Sequence, residues 1–84
     1  MDKAKVLLEI VNGISVFPEK DKMDIEEYIK HDEWGIALET ICSAVLEDRI
    51  LVDKKIFKKI SDVGTEMEMD SSLWNDIARL INDN

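Results

Sequence analysis

One cysteine, one histidine, one proline and three glycines stand among the 84 residues of this chain. Each scarcity excludes something. A lone cysteine, Cys42, cannot form an internal disulfide, and this suits a reducing compartment. A single proline and so few glycines are too little for a turn-rich β-sandwich or a disordered linker. One histidine and one cysteine cannot fill a zinc site, which takes several such ligands at set spacings. Gly13, Gly35 and Gly64 lie too far apart to build a phosphate-cradling loop. No apolar run exceeds three residues, so neither a membrane span nor a signal-peptide core is written in the sequence. A cytoplasmic location, with no membrane partner, is the expectation.

What is present is a chain that is 45% apolar and 36% charged. The charged share is well above the usual ~25%. That mixture suits short amphipathic helices, each with one apolar stripe and one charged face. Apolar residues recur at helical spacing nearly throughout. The predicted fold is all-α, a compact single-domain bundle of four to five short helices covering residues 1–84.

Helix 1 is expected over Lys3 to Asn12, buried through Val6, Leu7, Ile10 and Val11, with Gly13 as its stop. Ser15 to Pro18 is a connection. Helix 2 ends near His31 and has two possible starts. Pro18 can sit in its first turn, or Asp24 can cap it with Glu27 as capping box and Met23 and Tyr28 as staple. Asp32 is the expected N-cap of helix 3, whose stripe is Trp34, Ala37, Leu38, Ile41, Cys42 and Val45. Helices 2 and 3 must therefore turn sharply against each other. Ile50, Leu51 and Val52 are read as a buried connection. Asp53 is the expected cap of helix 4, with Val52 and Phe57 as staple and Phe57, Ile60, Val63, Gly64 and Met67 facing inward. Gly64 is expected to permit close approach of a neighbour. Helix 5 is predicted from Asp70, with Met69 and Trp74 as staple and Leu73, Trp74, Ile77, Leu80 and Ile81 as its stripe.

The formal charge is −8 and unevenly spread. Between Asp24 and Asp48 eight acids face only Lys30, a net of −7, whereas Arg49 to Lys59 carries +4. Such a protein has no electrostatic route to nucleic-acid phosphates, but it has one to a basic protein. The same charges serve solubility whether or not a partner exists.

Catalytic candidates are few. A Cys–His nucleophile pair would need His31 and Cys42 in contact. His31 falls at the exposed end of helix 2, while Cys42 falls on the apolar stripe of helix 3, where a small core residue is expected. Asp24, Glu26 and Glu27 lack the glycine and alternating oxygen ligands of a calcium loop. The sequence leads to a non-enzymatic protein without metal or cofactor. Trp34 and Trp74 are placed in the core by their stripes.

From Tyr28 to Thr40 the residues read Y-I-K-H-D-E-W-G-I-A-L-E-T. This resembles the recurrent core of the MafI family of bacterial immunity proteins, at Tyr28, Ile29, His31, Glu33, Trp34, Gly35, Ala37, Leu38 and Glu39. Downstream, the apolar run Ile60, Val63, Met67, Met69, Trp74, Ile77 and Leu80 also follows the family's pattern. Asp32 stands where the family often has glycine, and Ile36 where it often has leucine. The resemblance implies an immunity protein, monomeric, that neutralises the C-terminal domain of a cognate toxin. Such domains are frequently nucleases, EndoU-like RNases among them. Under that implication the candidate contact residues are Asp24, Glu26, Glu27, His31, Asp32, Glu33, Glu39, Glu47 and Asp48, spread over helices 2 and 3. Trp34, Gly35, Ala37 and Leu38 would set the corner that presents them. Two other functions use the same composition. An acidic nucleic-acid mimic would bind many unrelated basic proteins. A structural helical module would show a large exposed apolar patch.

Overall fold

The computed structural model describes residues 1–81. Asp2 opens the fold: its carboxylate accepts from the Lys5 N–H at 3.1 Å and caps α1 (Lys3–Gly13). Leu7, Ile10 and Val11 are buried, and Val6 is half-buried. α1 ends at Gly13 as expected, but without a left-handed φ. A Cβ there would meet the terminal Cδ1 of Ile56 at 2.5 Å, a contact that the flexible side chain can relieve.

α2 (Glu19–Lys30) starts at Pro18, whose carbonyl accepts from the Lys22 N–H at 2.9 Å. Of the two possible starts, the earlier one holds. Asp24 is therefore mid-helix and caps nothing, and Met23 is exposed rather than stapled. Pro18 presets the entry geometry, and Glu19 and Asp21 favour the positive end of the helix dipole.

Three helices end in the same way, and none of them uses glycine. After α2, the Asp32 N–H bonds the Ile29 carbonyl at 3.1 Å and the Glu33 N–H bonds that of Tyr28 at 2.9 Å. After α3 (Trp34–Glu47), Arg49 and Ile50 bond Leu46 and Val45 at 3.3 and 2.9 Å. After α4 (Lys54–Glu66), Glu68 and Met69 bond Thr65 and Gly64, both at 3.0 Å. Each pair is a Schellman closure, which requires a left-handed residue. Asp32, Arg49 and Glu68 supply it, with φ of 59°, 49° and 57°. This corrects the expectation for Asp32. It closes α2 instead of capping α3, and Glu33 takes the N-cap position without a side-chain bond. It also gives a physical reason why glycine suits that position.

Between α3 and α4 the chain is extended. Ile50 and Val52 are buried, but Leu51 is 63% exposed, so the connection alternates and is not uniformly inside. Val52 forms an isolated parallel bridge with Ile81, and its N–H bonds the Leu80 carbonyl at 3.1 Å. Asp53 caps α4 as expected, accepting from the Ile56 N–H at 2.7 Å. Ile56, Ile60, Val63 and Gly64 are buried, with Phe57 and Met67 partly so. A Cβ on Gly64 would run into the Trp74 ring, at 2.7 Å from Cη2. Close approach is the function of this glycine.

The last predicted helix is shorter than expected. α5 is only Ser72–Asn75 and continues as a 3-10 segment, Asp76–Leu80. The segment must both seat Trp74 over Gly64 and reach the extended pairing at Val52, and the longer rise per residue of the 3-10 helix makes that exit. Trp74 and Ile77 are buried. α3 touches every other element and is the axis of the core, where Ala37, Leu38, Ile41, Cys42 and Val45 are all buried. Trp34 is only partly buried. Lys3 Nζ stands 5.2 Å from its ring centroid, and its indole Nε1 is buried with no hydrogen-bond partner.

Candidate protein-binding surface

All nine candidate contact residues are exposed. They are spread over α2, the corner and α3. On α2, Asp24, Glu27 and His31 follow each other at helical spacing and make one strip, along which His31 Nε2 meets Glu27 Oε1 at 2.9 Å. The strip leads into the corner that holds Asp32 and Glu33. Glu26 is turned to another flank, since neighbouring helical positions differ by about 100°. Glu47 and Asp48 lie at the far end of α3, about 20 Å from the corner at the rise of an α-helix. That end is not purely acidic. Arg49 and Arg79 line a cleft there with Leu46, Asp76 and Leu80. The inhibitory face expected to be spread over helices 2 and 3 thus consists of an acidic strip and corner, a mixed far end, and Glu39 between them.

Glu39 stands at the edge of another cleft, of about 320 Å³, lined also by Met69, Asp70, Ser72 and Leu73. Asp70 accepts from the Ser72 N–H at 2.8 Å, and that bond holds its carboxyl below the ordinary carboxylate range. Nothing in one sequence shows that α3 and the α4–α5 connection meet here. The pairing joins residues some thirty positions apart, beyond the reach of local periodicity.

The basic residues of α4 lie on a different side, because α4 packs on α1 whereas α2 packs on α3. Lys58 pairs with Asp62 at 2.8 Å, and Lys59 with Glu9 of α1 at 3.5 Å. His31 and Cys42 are not brought together. His31 is exposed, and Cys42 is buried, with its thiol pushed up to about 12 by burial and, secondarily, by Glu39. Among the described residues no group of His, Cys, Asp and Glu could hold a metal ion, and no helix is long and apolar enough to cross a membrane. Comparison with protein-family models, curated proteins and solved structures returns no match.

Proposed function

We propose that this chain is an immunity protein that binds the C-terminal domain of a cognate bacterial toxin, a basic nuclease, and covers its cationic active site. The carrying observation is the strip of exposed carboxylates, Asp24 and Glu27 leading to Asp32 and Glu33, in a segment, Asp24 to Asp48, where eight acids face one lysine. The resemblance of Tyr28 to Thr40 to the MafI core supports the same function. A nuclease site is cationic because its substrate is a polyanion, and an opposite field speeds encounter. Catalysis by the chain itself forms no part of the proposal.

The test is the association rate with the purified toxin domain over a salt series. Reversing Asp24, Glu27 and Glu33 to lysine is expected to slow association at least about tenfold at low salt and flatten its salt dependence. An unchanged association rate would refute the electrostatic role of the strip.

A further inference from the structure

We propose that the cleft between α3 and the α4–α5 connection receives an arginine or lysine side chain of a basic protein partner, with Gly35 and Ile36 forming the ledge against which the partner's backbone lies. This rests on the proposed function for the partner's identity, but the cleft can be tested without it.

The cleft has the parts that a long cationic side chain needs. Met69 and Leu73 are half-buried apolar walls against which a methylene stem can lie. Glu39 and Asp70 put two carboxylates on its rim. The Asp70 carboxylate is fixed by the Ser72 N–H and kept ionised by it. Neither acid is engaged in an ion pair within the described residues. A volume of about 320 Å³ is ample for one such side chain.

Gly35 extends the site along α3. It lies one turn before Glu39, so the two are neighbours on the helix surface. Gly64 has an internal reason to lack a Cβ, the Trp74 ring, and Gly13 closes a helix against the Ile56 side chain, whereas Gly35 has none: nothing lies within 4 Å of the added atom and its φ is not left-handed. Glycine near a helix start costs stability relative to alanine without any return inside this chain. Open space above a bare backbone is what a docked backbone uses. Ile36 beside it is 47% exposed, an apolar contact at the border of charged groups, as interfaces are built.

The test is an NMR titration of the full chain with a blocked tetra-arginine peptide. Amide shifts are expected to centre on Gly35, Ile36, Glu39 and Met69 to Leu73. The double variant Glu39→Gln/Asp70→Asn, in which an oxygen remains to accept from Ser72, is expected to bind about fivefold more weakly. The matched control Glu47→Gln/Asp48→Asn is expected to change affinity by less than about twofold. Shifts scattered over all acidic residues, or equal losses from both double variants, would overturn the cleft. Localised peptide binding by a chain that gives no protection from the toxin domain would leave the cleft standing and overturn the proposed function. Full protection by the Glu39→Gln/Asp70→Asn variant, with scattered shifts, would do the reverse.

Discussion

Asp32, Arg49 and Glu68 each hold a left-handed φ that an L side chain resists. The glycines sit elsewhere, at positions that do not need positive φ. Replacing any one of the three left-handed residues by glycine is expected to raise stability by about 0.5–1 kcal/mol, the gain in the closure exceeding the extra freedom given to the unfolded chain. Thermal unfolding should then shift upward by several degrees, since about 1 kcal/mol corresponds to ~4–8 °C in a domain of this size. An unchanged or lower midpoint for all three would contradict the assignment. Glycine removal separates the other way. Gly64→Ala meets the Trp74 ring and is expected to cost about 1–3 kcal/mol despite its better helix propensity. Gly35→Ala meets nothing and is expected to be neutral or stabilising by up to about 1 kcal/mol, read by the same melts. Sequence reasoning found the close-approach role of Gly64 because a mid-helix glycine needs a reason. It also found the stop at Gly13, where α1 ends, although the φ there is not left-handed. It placed Cys42 in the core correctly. Burial pushes that thiol from 9.0 to about 12. The folded state therefore retains a proton that the unfolded state has lost between those values. This contribution to stability is whole below pH 9 and falls as pH rises toward 12, so a Cys42→Ala variant should lose less stability over that range than the parent in denaturant titrations.

At the scale of elements, the starts of α1 and α4 and the stripes of α1, α3 and α4 were legible, because three to four turns of periodic apolar residues are a strong local signal. Caps were legible only where an acid directly precedes the first turn. Asp53 is such a cap, and Asp53→Ala is expected to cost about 1 kcal/mol. Asp24 looked similar but lies inside α2, so Asp24→Ala should be within about 0.5 kcal/mol of neutral. Equal losses in urea titrations would contradict the observed start of α2. The rival start misled because Asp24 and Glu27 have capping-box spacing, while the true start is at Pro18, with Phe17 before it and Ile25 after it both buried. The end of the chain was the least legible part. Its stripe was correct, but Trp74 docking on Gly64 and the Val52–Ile81 bridge shorten the helix, and neither contact lies within one helix's periodicity.

For the molecule as a whole, composition showed that the charge is divided, and the fold shows where. The acids of α2 and the corner lie on the α2–α3 side, and the lysines of α4 partly satisfy acids of α1 and α4. The exposure of all nine candidate residues followed from their place off the apolar stripes. Their separation into strip, corner and far end did not, because it depends on the length of α3 and on the arginines brought to its C-terminal end. The cleft beside Glu39 was invisible for the same reason. Binding to the toxin domain should weaken with added salt, as an encounter between opposite fields does. The most direct test of the central claim is bacterial growth. The C-terminal domain of the product of the neighbouring upstream gene, the toxin under the proposed function, would be expressed in a naive strain, with and without the protein. Arrest relieved only by co-expression is the predicted result, and arrest that persists with the protein present at equal level would contradict it.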